Sequence, residues 1–268
     1  MFIYVSIILV KARVYPMIDV ADTIEEVLQL KSKKEEHKPR VPGVFHPSEA
    51  MQCMRRTYYN VISPELGKKE DFPLGLFHMA KSVEQSIIDL VRQKHGALVI
   101  EQKRIEAEIA PGVMLHGFLD FALTDKKGKI KHVFEIKSTR DISYTIKENA
   151  AKVHHRAQLQ CYLHTFKCMT GSVVYVERGD LLKMKQFDET YDEDLWADII
   201  SSFSKLAIAM EKGVPPPPVP VEKWECRYCA YQVPCTEARR EEGYERTTGG
   251  IKKCNGPSNK QKSSRASK

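Results

Sequence analysis

The 268-residue sequence predicts a mixed α/β domain, a central sheet flanked by helices. Two observations carry that expectation. Apolar residues recur at helical spacing just before three β-patterned runs, and further helix, strand and helix patterns follow in turn. The composition, 42% hydrophobic and 29% charged, is that of a globular chain able to bury one sizeable core and a small appended subdomain.

The elements run as follows. Met1–Val10 is apolar, but a bilayer span needs about 20 residues. The basic Lys11 and Arg13 come after this run, unlike the order in a secretory leader. The run reads as an extra strand, or as residues ahead of a start at Met17, which opens a cleaner helix over Ile18–Lys31. The expected location is the cytoplasm, with no membrane association. Residues 1–40 form an extension that closes with a charged linker, Lys31–Arg40. The main domain is expected over 41–240, with its core at 74–212.

A short helix around Ser48–Tyr59 carries Cys53, Arg55 and Arg56. Leu74–Lys94 reads as a longer helix that buries Leu76, Ala80, Val83, Ile87 and Leu90 and stops at Gly96. Strands are expected over Leu98–Ile105, Val113–Leu123 and Ile130–Ser138. Polar Thr124–Lys129, with Gly128, suits a hairpin between the last two. A helix over Ile146–Met169 stops at Gly171, Ser172–Glu177 is β-rich, and Glu193–Lys212 forms the last helix. Pro215–Pro218 is a stiff connector. Residues 241–268 read as a basic tail, disordered from Lys252 because it lacks an apolar period. The net charge of +7 is compatible with a polyanionic partner. No Walker phosphate loop is present, which excludes a recognisable nucleotide-driven motor on this chain.

Three charged residues in the hairpin point to chemistry. Glu135 and Lys137 share a strand face, being two residues apart. If Leu123 pairs with Ile130, Asp120 faces Val133 and is the diagonal neighbour of Glu135, roughly 7–8 Å away. Two carboxylates so placed can share a hard cation such as Mg²⁺ or Mn²⁺, which prefers oxygen ligands and leaves room for a phosphate. Lys137 then stabilises developing negative charge. A bare Glu-x-Lys is more often an ion pair on a solvated strand, and the upstream Gly117-Phe118-Leu119-Asp120 is what shifts that balance.

Gly117-Phe118-Leu119-Asp120 followed by Glu135-Ile136-Lys137 resembles the core of the RecB-like branch of the PD-(D/E)xK, or restriction-endonuclease-like, nucleases. Gly75-Leu76-Phe77-His78 is similar to that branch's upstream motif and Gln158-Leu159-Gln160-Cys161-Tyr162 to its downstream motif, in the same order. The resemblance spans Phe45–Thr236. It implies that His78, Asp120, Glu135 and the Ile136 carbonyl ligate a metal ion. It further implies that Lys137 is the catalytic lysine and that Gln158 and Tyr162 line the DNA-proximal edge. Read from spacing alone, His78 shares a polar stripe with Ser82, Gln85 and Asp89. Gln158 and Tyr162 share one helix face, which equally suits an amphipathic edge or, for Tyr162, the core; His154 extends it and reads more often as exposed polar filler than as a phosphate contact.

The second constellation is cysteine. Cys226-x-x-Cys229 and Cys235 are three closely spaced ligands, which suggests metal binding more than a disulfide framework. Cys254 and the distant Cys53 both remain open as a fourth, and zinc or iron–sulfur both suit four thiolates. Cys161 and Cys168 read as core thiols. The one-plus-three pattern resembles the iron–sulfur subset of RecB-like nucleases. That resemblance implies a [4Fe–4S] cluster on Cys53, Cys226, Cys229 and Cys235, in a subdomain built from 45–60 and 224–236. Among these families the CRISPR-associated RecB-like exonucleases match best in size. They imply a Mg²⁺- or Mn²⁺-dependent DNA exonuclease that trims single strands or frayed ends alongside integrase proteins, with recombination or repair as the other setting. The rival from another class is a non-catalytic DNA-binding or assembly module with a structural iron–sulfur or zinc site.

Overall fold

The computed structural model describes residues 19–35, 40–67, 74–146, 149–218, 225–241, 244–247 and 250–253. The expectations for Met1–Val10, Met17 and the end of the tail from residue 254 lie outside them. The chain divides into two compact units, Met1–His37 and Lys38–Lys268. In the first, α1 spans Val20–Glu35 and so continues into the segment expected as linker. Asp19 sets its start, with Oδ1 accepting from the backbone amides of Ala21 and Asp22 at 2.9 and 3.1 Å.

The second unit is built from β1 (Val44–Phe45), α2 (Met54–Ile62), α3 (Leu74–His95), β2 (Val99–Glu101), β3 (Arg104–Ala110), β4 (Val113–Phe118), β5 (Phe121–Thr124), β6 (Ile130–Thr139), α4 (Ile142–Thr145), α5 (Val153–Phe166), β7 (Thr170–Glu177), β8 (Asp180–Thr190), α6 (Glu193–Glu211) and α7 (Gln232–Glu241). Tyr244–Thr247 and Gly250–Lys253 pair as an antiparallel hairpin, β9 and β10, within the segment expected to be a tail. Among the described residues no helix is long and apolar enough to cross a membrane.

The main sheet has strand order β2-β5-β6-β7-β8 and is mixed, because β6 and β7 run parallel while the other pairs are antiparallel. The crossover from β6 to β7 passes through α5. A smaller sheet, β1-β4-β3, continues from the main one. Side-chain alternation splits the core into two layers. Phe121, Ile136 and Val176 pack with Val83, Ile87 and Ile88 of α3, whereas Val133, Val173 and Tyr175 join the larger core under α2, α5 and α6.

Val113–Leu123 is two strands, β4 and β5, in different sheets, with Leu119 and Asp120 in the break between them. Leu98–Ile105 is likewise divided, at Gln102, whose φ of 48° breaks the extended run between β2 and β3. The helix expected over Ile146–Met169 occupies only Val153–Phe166, closed by Lys167 in the left-handed conformation. β8 was missed because its exposed, mixed-polarity residues carry no clean alternation. The buried stripe of α3 holds Val83, Ile87 and Ile88, while Leu76 and Leu90 are more than half exposed.

Candidate active site and cysteine cavity

The break after β4 places Asp120. Gly117 closes that region onto the Pro47–Glu49 turn, since a Cβ there would lie 2.9 Å from Pro47 Cδ. The β5–β6 register is Phe121↔Phe134, Ala122↔Val133 and Leu123↔His132, shifting to Thr124↔Ile130. The pair next to the turn is Thr124↔Ile130 and not Leu123↔Ile130, and the extra residue on β6 adds one further step, a shift of two in all. Continuing the register past Phe121 brings Asp120 level with Glu135, not with Val133 as the simple hairpin predicts. Asp120 Oδ2 accepts from the Ile136 backbone amide at 2.7 Å, which fixes the carboxylate against β6.

Glu135 and Lys137 project toward α5. Lys137 Nζ lies 2.6 Å from Glu135 Oε1 and donates to Gln158 Oε1 at 2.9 Å. Gln158 Nε2 donates to the Tyr162 hydroxyl at 3.1 Å, which donates in turn to the Phe118 carbonyl at 3.0 Å. The i, i+4 pair on α5 is thus a bridge from the lysine to the end of β4. Glu135 is 1% exposed, and its Oε2 is buried without a hydrogen-bond partner among the described residues. A buried carboxylate oxygen in that condition is costly and suits a cation ligand.

Glu84 on α3 is the member that sequence reading missed. Its Oε1 accepts from Gln102 Nε2 at 3.0 Å, while the Gln102 backbone amide donates to the Asp120 carbonyl at 3.1 Å. Gln102, in its left-handed conformation, therefore ties Glu84 to the Asp120 loop. The available signal was position: Glu84 stands one turn before fully buried Ile88 and so borders the packed face. His78 stands on the same helix, six residues before Glu84. It is exposed on α3, and its carbonyl accepts from the Ser82 hydroxyl.

The electrostatics follow from this crowding. Burial, then Glu135 and Glu84, push the Asp120 carboxyl well above the usual range. Burial raises Glu135 as well, against the pull of Lys137. Burial and the Glu135 charge raise Glu84. Lys137 stays above the ordinary lysine value because Glu135, Asp120 and Glu84 together outweigh burial. His154, half-buried, is lowered to about 4 by burial and by Lys152, Lys137 and Arg56. Its neighbour His155 is held neutral by burial and bonds the Tyr175 hydroxyl at 2.7 Å.

The cysteines form a second centre. Cys53, at the N-terminus of α2, lines one cavity with Cys226, Cys229 and Cys235, although more than 170 positions separate it from them. Arg55, Arg56, Tyr59, Tyr231 and Arg239 line the same cavity. Tyr59 stacks on Tyr231 at 5.4 Å and so joins α2 to the C-terminal segment. Burial raises the thiols of Cys229 and Cys235, nearby arginines pull both down, and Cys53 raises each. Cys161 and Cys168 are buried in the main core, and Cys254 lies outside the described residues. As they stand, no three His, Cys, Asp or Glu side chains among the described residues form a group that could hold a metal ion.

Comparison with known proteins supplies the family. The profile described as the PD-(D/E)XK nuclease superfamily matches residues 31–236. The CRISPR-associated exonuclease Cas4 of Saccharolobus solfataricus is 24% identical over 209 residues, 77% of this chain and 95% of its own length. The crystal structure of SSO0001 superposes with a TM-score of 0.57 at 19% identity, covering 80% of this chain and 96% of that one. An alkaline exonuclease from Laribacter hongkongensis gives a TM-score of 0.44 at 15% identity over 64% of this chain and 90% of its own.

Proposed function

The chain belongs to the PD-(D/E)XK nuclease superfamily, and from that premise we propose a divalent-metal-dependent DNA exonuclease acting on single strands or frayed ends. The observation that carries the reading is the buried Glu135 carboxylate, with an unpartnered oxygen, next to the Ile136 amide from which Asp120 accepts. Asp120 and Glu135 would hold Mg²⁺ or Mn²⁺. We assign Glu84 to the same site alongside His78, and the Ile136 carbonyl as a further oxygen donor. When bound, such a cation polarises the scissile phosphate and lowers the pKa of an attacking water.

The chain's own groups do the rest. Lys137, oriented by Glu135 and Gln158, holds a positive charge where the phosphate gains negative charge. Tyr162 keeps Gln158 in place from below, and His154, largely neutral at physiological pH, borders the DNA-proximal edge. We also propose that Cys53, Cys226, Cys229 and Cys235 hold a [4Fe–4S] cluster of structural role, supported by their shared cavity. The likeness to Cas4 supports a role beside CRISPR integrase proteins. End-labelled single- and double-stranded DNA incubated with Mn²⁺ tests the activity. Progressive shortening of the single strand from an end is expected, and internal cutting alone would refute the exonuclease assignment. Substituting Cys53→Ser should bleach the iron–sulfur absorbance, whereas Cys254→Ser should not; the reverse would place the cluster in a local C-terminal site.

A further inference from the structure

We propose that Arg239 is the charge partner of an anionic four-thiolate centre, its Nη1 donating to a sulfur of that centre. This rests on the cysteine-cluster reading above and adds a residue that neither spacing nor resemblance singles out. Arg239 stands on α7 one turn after Cys235, so the two share a helix face. Its Nε donates to the Cys235 carbonyl at 3.2 Å and its Nη2 to the Thr236 hydroxyl at 2.9 Å. The residue is 7% exposed, and Nη1 is buried with no partner among the described residues. The side chain lines the cavity that the four cysteines share.

A guanidinium cannot escape burial by losing its proton, and a buried charged donor left without an acceptor is costly. Two of its nitrogens are already satisfied, so the third needs an acceptor in the cavity. Neutral thiols are weak acceptors. Four thiolates around Zn²⁺ or around a [4Fe–4S] core of the same charge leave about −2 overall, which supplies both the acceptor and the counter-charge. Arg55 and Arg56 line the same cavity, and Glu225 is the one carboxylate among its lining residues, so the wall is built for a negative occupant.

The test uses the full chain purified anaerobically, as wild type, Arg239→Gln and Arg239→Lys. Metal per chain, retention against a chelator and, for an iron-containing preparation, the midpoint potential are measured. Arg239→Gln should retain metal about 10–100-fold less well, the range for partners outside the first coordination sphere. Its potential should move to more negative values, because the lost positive charge favoured the reduced cluster. Arg239→Lys should restore the potential more than the retention, since it keeps the charge and loses the fork geometry. A zinc centre would show the same retention order without colour. Wild-type retention and potential in Arg239→Gln would overturn the proposal. If Arg239→Gln does not fold, Arg239→Lys decides: a near-wild-type potential with weaker metal retention supports the pairing, and wild-type retention contradicts it. Wild-type metal content in Cys53→Ser would instead refute the cluster reading itself.

Discussion

Replacing Asp120 by Asn separates a metal-binding carboxylate from a structural one. The Asn oxygen can still accept the Ile136 amide that Asp120 takes at 2.7 Å, so shape and hydrogen bond survive while the charge goes. Without metal, the Asp120 carboxyl is pushed well above the usual range by burial, Glu135 and Glu84. An acid whose pKa is raised on folding binds more protons when folded, so its contribution to stability falls as pH rises from about 4 through the folded value. In EDTA near neutral pH, Asp120→Asn should therefore be at least as stable as wild type, and the difference should vanish below the unfolded-state pKa. Metal reverses the order. At a free concentration a hundred times Kd, a ligand of the native state alone adds about 2.7 kcal/mol. At about 2–4 °C per kcal/mol for a domain of this size, wild type should gain roughly 5–11 °C in Tm with Mn²⁺. The variant should gain little. Thermal unfolding across pH, in EDTA and in Mn²⁺, checks both halves. An undiminished Mn²⁺ shift in the variant, or a large loss of stability in EDTA, would make Asp120 a structural residue.

Other expected outcomes follow from the same contacts. Lys137→Ala should bind Mn²⁺ yet lose about 10²–10³-fold in cleavage rate, as for loss of one preorganised donor; unfolding or loss of metal binding would make it a structural partner of Glu135. Tyr162→Phe should lower stability by about 1–3 kcal/mol in urea titration, because the Phe118 carbonyl and the Gln158 amide lose a buried partner. Glu84→Gln should weaken Mn²⁺ binding in calorimetry without abolishing it, and an unchanged affinity would remove Glu84 from the site. Affinity for Mn²⁺ in wild type should climb with pH through the raised values of Asp120 and Glu135, since metal and proton compete for the same oxygens.

The sequence carried the local chemistry better than the geometry around it. Glu135 and Lys137 on one face, and Gln158 with Tyr162 on another, need only strand and helix periodicity, and the structure brings all four into one hydrogen-bonded chain. The position of Asp120 was misread because the hairpin closes at Thr124↔Ile130, one residue from the expected pair, and a bulged residue on β6 adds a second step that no composition signal marks. Glu84 was passed over because its role depends on Gln102, which joins two elements through a left-handed residue that reads as ordinary strand. Cys53 could be weighed only through resemblance, since its neighbours in the cavity come from chain folding and not from spacing.

The central claim is that the paired carboxylates and Lys137 make the chain a metal-dependent nuclease. The most direct measurement is single-turnover cleavage of end-labelled single-stranded DNA by wild type and Glu135→Gln, each titrated with Mn²⁺ and then with EDTA. The account predicts cleavage by wild type that rises with Mn²⁺ and stops with EDTA, and none above background from a folded Glu135→Gln chain. Cleavage that persists in EDTA, or that proceeds at the wild-type rate in Glu135→Gln, would contradict it.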